Sequence, residues 1–238
     1  MFFVSNIGWQ VNDGVAGPRV TPTILPTTAQ FNGVGSGSID VSGLGLQADD
    51  LILIFFQEDD GGDFAPSGSI PNWTYLTDSH RAWGTNNAIS VYWKRSDGTE
   101  TSASIPDTGD HQIAMAVVLR GVDWGSGGED WLGSDIVHNG QTASSGISVD
   151  GVTTTVENTL VIIGLAGTLA TSYNSPSNAN LTDLAIIDQQ TTTGGDDGCV
   201  AAVAGVKATA GATGDTSINA SSNQGNAHVK FAVKGLTS

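Results

Sequence analysis

The most apolar run of the sequence is Asp50-Leu51-Ile52-Leu53-Ile54-Phe55-Phe56-Gln57, and it is flanked by carboxylates, glycines and a proline. A short continuous run of this kind, rich in β-branched and aromatic residues, is typical of a strand that is buried on both faces. It is too short to cross a membrane as a helix. We therefore expect the chain to be organised around one deeply buried strand.

The run has an echo later in the chain, which predicts that one structural unit is used twice. The second copy is Asn158-Thr159-Leu160-Val161-Ile162-Ile163-Gly164-Leu165, and both halves end in an alternating strand followed by a basic residue and glycine. An alignment of the two halves can be anchored on this basic residue and glycine, which are Arg120-Gly121 in the first half and Lys234-Gly235 in the second. It places Met115, Val117 and Leu119 on the same side as Val229, Phe231 and Val233. Because side chains alternate along a strand, a slip of one residue would have placed opposite faces together.

Composition indicates an all-β protein. The chain has 238 residues, 32 of them glycine, and only 13% are charged, which suits many short strands joined by turns better than helices. This length can bury a substantial core, as one large β domain or as two small ones. We expect an extended N-terminal arm at residues 1–30 and a β-sandwich domain at residues 31–238. The two similar halves of that domain are expected at about 31–123 and 147–236.

The net charge of −16 limits the possible partners. The eight Lys and Arg residues are scattered along the chain, so no basic groove is expected that could neutralise phosphates. The same acidity would repel an anionic membrane surface, and no segment reaches membrane-spanning length. We therefore expect neither nucleic acid nor membrane as a partner, and an outward-facing position for the protein.

The first 30 residues contain Pro18, Pro22 and Pro26 and argue against regular structure. They also contain Phe2, Phe3 and Trp9, and exposed aromatic side chains near a terminus often mark contacts. Two interpretations remain open, a tail that lies on the surface or is disordered, and an arm whose aromatic residues dock on a neighbouring subunit.

Three tryptophans, Trp83, Trp124 and Trp131, fall in glycine-rich or acidic segments where exposure is expected. An exposed indole beside Asp or Asn can stack on a sugar ring, or it can contact another protein. These three residues, with Phe2 and Phe3 and Trp9 of the arm, are the candidate binding residues.

Two acidic glycine-containing segments, residues 58–63 and 194–198, could bind calcium, but their spacing matches neither a helix-loop-helix site nor a nonapeptide repeat. We predict no metal site and no cofactor. The four histidines lack metal-binding spacing, and no nucleophile elbow or phosphate loop is present. The sequence predicts no catalytic residue, and the single cysteine, Cys199, is expected to be a buried core thiol.

Several segments resemble a β-sandwich domain that recurs in virion proteins of tailed bacteriophages. They are Asp50-Leu51-Ile52-Leu53-Ile54-Phe55, Trp73-Thr74-Tyr75-Leu76, Val91-Tyr92-Trp93-Lys94, Ala116-Val117-Val118-Leu119-Arg120-Gly121-Val122-Asp123 and Val152-Thr153-Thr154-Thr155-Val156-Glu157-Asn158-Thr159-Leu160-Val161. The likeness covers roughly residues 30–236. It implies a two-sheet jelly-roll-like fold and a structural or adhesive role, and it brings no catalytic residue with it.

Among the roles found in that family, the sequence favours a decoration, cement or head-fibre protein on the outer surface of a phage capsid. It has an N-terminal arm but no shaft of coiled coil or repeated strands. The expected partners are the major capsid protein or other virion proteins, and a homo-oligomer around a symmetry axis is expected. The alternative is a carbohydrate- or receptor-binding module of a tail fibre, and a polysaccharide-degrading enzyme is a more distant third.

Overall fold

The computed structural model describes residues 17–59, 70–84, 87–109, 111–195 and 197–238. The described residues form an all-β structure whose helical content is a single 3-10 turn at Ser42–Leu44. The expectation of an all-β fold with two sheets is confirmed.

The first half of the chain builds the first sheet, with a small two-stranded sheet beside it. Its strands are β1 Thr23–Ile24, β2 Ala29–Gly33, β3 Gly37–Asp40, β4 Ala48–Asp59, β5 Thr74–Tyr75, β6 Arg81–Ala82, β7 Ala88–Asp97, β8 Ser102–Ile105 and β9 His111–Arg120. The main path across the sheet is β1-β9-β4-β7-β5, while β2 also pairs with β9 and β6 with β7. Strands β3 and β8 form the small separate sheet.

The second half builds the second sheet in the same way. Its strands are β10 Val137–Val149, β11 Thr153–Thr154, β12 Thr159–Gly167, β13 Tyr173–Ser177, β14 Thr182–Thr192, β15 Gly198–Lys207, β16 Gly211–Ala212 and β17 Thr216–Val233. The main path is β10-β17-β12-β15-β14, and β13 pairs with β17. Strands β11 and β16 form a separate pair.

The internal repeat is visible in the order of the strands. In each half the most apolar strand, β4 or β12, lies between the closing strand, β9 or β17, and another long strand, β7 or β15. All these pairings are antiparallel. The registers also correspond, because Leu51 pairs with Leu119 in the first sheet and Leu160 pairs with Val233 in the second. Each sheet is therefore one copy of the repeated unit.

The two copies bury equivalent faces against each other. Met115, Val117 and Leu119 lie in the same core as Val229, Phe231 and Val233, so the predicted agreement of side-chain phase is confirmed. From the central strands, Leu51, Leu53 and Phe55 meet Leu160, Ile162 and Ala166 in that core. Burying these aliphatic and aromatic side chains removes apolar surface from water on both sheets at once.

The opposite faces of the central strands are buried as well. On the first sheet, Ile52, Ile54 and Phe56 pack beneath Ile39 and other residues of the β3–β8 layer. On the second, Ile163 packs under Ile218, which belongs to the first part of the long strand β17. This confirms that the run at residues 50–57 is a strand buried on both faces.

Some boundaries expected from the sequence are wrong. Residues 23–24 and 29–33 pair with β9, so residues 23–24 and 29–30 of the expected arm already belong to the first sheet. The second half starts earlier than expected, since β10 begins at Val137. The prolines did not prevent strand formation here because Pro18, Pro22 and Pro26 all lie outside β1 and β2.

A glycine in the second central strand makes room for an aromatic ring of the first. A Cβ atom at Gly164 would lie 2.6 Å from Cδ1 of Phe55 and 3.0 Å from Cδ1 of Ile89. Such distances are shorter than packed carbon atoms allow, and both neighbours are fully buried. The absence of a side chain at Gly164 thus sets how closely the two sheets approach.

We predict that Gly164→Ala lowers the free energy of unfolding by about 1–3 kcal/mol, because the added methyl group overpacks the core against Phe55. Chemical denaturation followed by tryptophan fluorescence measures the change. Adding Phe55→Leu should return part of the loss. Gly43→Ala is the control, because a Cβ atom there meets nothing within 4 Å. Equal effects of Gly164→Ala and Gly43→Ala would contradict the inter-sheet contact.

Candidate functional site

Two of the three candidate tryptophans are part of the core. Trp131 is fully buried and Trp124 is 8% exposed. Trp131 packs edge-to-face on Trp93 and Phe231, with ring centroids 5.7 and 6.0 Å apart. Trp124 lies 5.9 Å from Trp93. The expectation that these two indoles are exposed is therefore wrong.

The physical reason is the path of the connection between the two halves. The segment after β9 folds back across the end of the sandwich, where Asp123 N donates to Lys234 O and Leu132 bridges Val233. Its tryptophans close the open end of the core between the sheets. Large aromatic residues in a glycine-rich crossover could have indicated such a plug, because they are the most effective residues for covering an exposed core.

Trp83 occupies the side of the sandwich and is only partly exposed. A Cβ atom at Gly140 would lie 2.5 Å from its ring, and one at Gly225 would lie 2.4 Å from its Nε1 atom. The indole of the first half therefore rests on two glycines of the second sheet. The other candidates, Phe2, Phe3 and Trp9, lie outside the described residues.

A cavity of about 400 Å³ lies at the same end as Trp124. Its lining includes Asp49, Arg95, Asp123, Trp124 and Leu236. The guanidinium of Arg95 sits 5.0 Å over the ring of Trp124 and pairs with Asp49 at 2.8 Å. Its side chain is 51% exposed, so one face of the guanidinium remains open to a ligand.

An ion pair between the partly exposed Arg120 and the buried Asp50 forms part of the wall of this cavity. Arg120 donates from Nε and Nη2 to the two carboxylate oxygens of Asp50 at 2.9 and 2.7 Å, and Nη2 also reaches Gly45 O at 2.9 Å. The hydrogen bonds from Arg120 to Asp50 raise the pKa of the guanidinium above its ordinary value. This bidentate geometry holds the start of β4 against the end of β9. The arrangement can bind and orient a ligand through stacking and hydrogen bonds.

A second cavity, of about 430 Å³, occupies the corresponding place in the other half. Residues Thr155 to Glu157 line this second cavity, just as Gln47 to Asp49 line the first. Thr237 in the second cavity corresponds to Asp123 in the first. Arg19 also lines it and pairs with Asp123 at 2.6 Å. The repeat has thus produced two related depressions, of which only the first contains a tryptophan.

A buried polar group that sequence reasoning missed lies on the outer face of the first sheet. The Nδ1 atom of His80 and the Oγ atom of Ser90 are 2.9 Å apart, and Ser90 Oγ donates to Glu58 Oε1 at 3.4 Å. Glu58 is 3% exposed and Ser90 is fully buried. Burial raises the pKa of Glu58 to about 7, against the opposing effect of the Ser90 hydrogen bond.

The order of this group differs from that of a nucleophile relay, in which the imidazole lies between the hydroxyl and the acid. Here the hydroxyl lies between the imidazole and the acid. Burial, followed by the nearby positive charge of His138 and Arg81, lowers the pKa of His80. The group is a hydrogen-bond chain that links Glu58, Ser90 and His80.

Other predictions concern metal and thiol chemistry. Among the described residues no three His, Cys, Asp or Glu side chains are grouped so that they could hold a metal ion. Residues 60–63 and Asp196 of the two acidic segments lie outside the described residues. Cys199 is buried, as predicted, and burial raises the pKa of its thiol.

The surface is acidic because its basic side chains are withdrawn or paired. Of the eight Lys and Arg residues only Arg95 is exposed, and it pairs with Asp49. Lys230 is fully buried, donates to Gly214 O at 3.0 Å, and has a pKa lowered by burial to about 8. The exposed acidic residues include Asp40, Asp49, Asp78, Asp97, Asp107, Asp130, Asp135, Asp150, Glu157, Asp183 and Asp215.

Comparison with known proteins finds no match among family models, curated proteins or solved structures. In the described part of the chain, no helix has the length and apolar character required to span a membrane.

We predict that Glu58→Gln stabilises the protein at pH 8 by up to about 3 kcal/mol and has little effect at pH 4. The folded-state pKa of Glu58 is about 7, whereas the ordinary pKa of a glutamate is 4.5. The unfolded chain therefore ionises first, and the wild type loses stability as the pH rises from 4.5 through 7. Denaturation at both pH values measures the difference, with the exposed Glu157→Gln as control. A variant less stable than wild type at pH 8 would show that Glu58 is ionised and paired.

Proposed function

We propose that this chain is a structural virion protein that decorates the outer surface of a tailed-phage head as a homo-oligomer. In this proposal it binds the major capsid protein or another virion protein, and it acts by contact rather than by catalysis. The observation that carries the proposal is the unequal distribution of charge between the two halves of the sandwich.

Most of the negative charge belongs to the first half. Residues 1–136 contain 17 acidic and 5 basic residues, a net charge of −12, whereas residues 137–238 contain 7 and 3, a net charge of −4. A sandwich whose halves differ in net charge can lie with the less acidic half on a shell and the more acidic half towards solvent.

The less acidic half has an exposed uncharged surface on three neighbouring strands, which we call the neutral face. Ser148 of β10 lies opposite Ser217 of β17, which lies opposite Ser177 of β13. In the next row Asn219 lies opposite Asn174. These five side chains are exposed. Hydroxyl and amide groups can each donate and accept hydrogen bonds, and weak contacts repeated over many copies give stable attachment to a lattice.

The alternative is a carbohydrate- or receptor-binding module of a tail fibre. One feature favours it, the cavity beside Trp124 with the open face of Arg95. Stacking of a sugar on an indole requires an accessible ring face, however, and the burial of Trp124 and Trp131 does not provide one. The burial of these two indoles therefore favours the capsid proposal over the glycan proposal.

Immunogold labelling of intact particles tests the proposal. We expect label on the head and binding of the purified protein to heads that lack it. Ser217→Asp with Asn219→Asp should abolish that binding by adding charge to the neutral face, while Ser102→Asp, an exposed change in the first half, should preserve it. Label confined to the tail, or equal binding by both variants, would contradict the proposal.

A further inference from the structure

The chain termini form a short two-stranded ribbon at one end of the sandwich. Arg19 bridges Thr237, Val20 N donates to Leu236 O at 2.8 Å, and Ser238 N donates to Pro18 O at 3.1 Å. Residues directly opposite in an antiparallel pair point to the same side. Val20 and Leu236 therefore share one face of the ribbon, and Arg19 and Thr237 share the other.

The face formed by Val20 and Leu236 is apolar and exposed. Val20 is 59% exposed and Leu236 is 51% exposed, and the other exposed large apolar residues of the described chain, Val34 and Leu169, lie elsewhere in the sequence. Leu236 also lines the 400 Å³ cavity next to Trp124. The two adjacent side chains thus make a small exposed apolar patch, one member of which lines the cavity.

We infer that this face binds the N-terminal segment, residues 1–16, of a second copy of the chain, and we call it the ribbon face. Phe2, Phe3 and Trp9 are its aromatic residues, and Asp13 is its single charged residue. Such a segment can approach an acidic body with little repulsion. Its aromatic rings match both the apolar pair and the open side of the Arg95 guanidinium.

The direction of the chain favours a second copy over the segment's own body. Gly17 lies against Ser238, beyond Leu236 along the ribbon. Going from Val20 towards Gly17, the chain therefore leads away from the ribbon face and would have to reverse to cover it. Sixteen residues can extend about 50 Å, which is ample to reach a neighbouring body.

A mutual exchange of N-terminal segments is complete with two copies of the chain. Each copy supplies one N-terminal segment and one ribbon face, so a two-fold arrangement satisfies both sites in both chains. The inference does not depend on the capsid assignment, since it concerns only contacts between identical chains. It gives the candidate residues Phe2, Phe3 and Trp9 a specific binding surface.

Sedimentation velocity of the full chain tests the inference. We expect the wild type to sediment as two copies of the 24.3 kDa chain. Val20→Asp with Leu236→Asp should halve that mass, and Val34→Asp, the same change at an exposed valine elsewhere, should leave it unchanged. Phe2→Ser with Phe3→Ser and Trp9→Ser should also halve the mass, without altering any described strand.

Circular dichroism and cooperative unfolding establish that each variant is folded. A wild type that sediments as a single chain at about 100 μM would overturn the inference, since specific dimers are populated at such concentrations. If the arm variant were then less stable than the wild type, the segment would bind its own body instead. A dimer that survives both the ribbon-face and the arm substitutions would place the interface on another surface. None of these results tests binding to phage heads, but a wild type that sediments as a single chain would also contradict the homo-oligomer of the proposed function.

Discussion

The structure depends on the contact between two equivalent sheet faces. Each half of the chain makes one sheet, and neither sheet can bury its inward face without the other. One close approach in the core is at Phe55, whose ring fills the space that Gly164 leaves open. A repeat that paired identical faces would bring two large residues together there. The two copies have instead diverged to a large and a small residue, which is how facing layers interdigitate at native density.

The same packing explains where polar and aromatic residues are found. Because both central strands are buried on two faces, the open ends and sides of the sandwich have to be closed by other parts of the chain. Trp131 and Trp124 close one end, and Trp83 closes one side. On the opposite side, Gln30 of β2 donates to Asp188 of β14 at 2.6 Å, joining the sheets by a hydrogen bond. Apart from buried groups such as Glu58 and Lys230, the described charged side chains lie at the surface, and the two halves of the chain differ in net charge.

The sequence predicted those features that follow from periodicity. These features are the all-β fold, the duplicated unit, the doubly buried strand and the side-chain phase that Met115 shares with Val229. All of them depend on a period of two, which can be recognised in the sequence alone. Burial of the loop tryptophans was not predictable in this way, because it depends on where the crossover folds in three dimensions. The Glu58–Ser90–His80 group was missed for the same reason, since its members come from three separate segments and share no spacing. The capsid assignment remains a proposal that rests on a resemblance and on the distribution of charge.

The central claim is that the inward faces of the two halves meet at Phe55 and Gly164. The most direct measurement is a nuclear Overhauser experiment on protein labelled at phenylalanine and glycine. The account predicts a strong cross-peak between the ring protons of Phe55 and the α-protons of Gly164. Cross-peaks from the Phe55 ring to Ile39 of the outer layer, with none to Gly164, would contradict it.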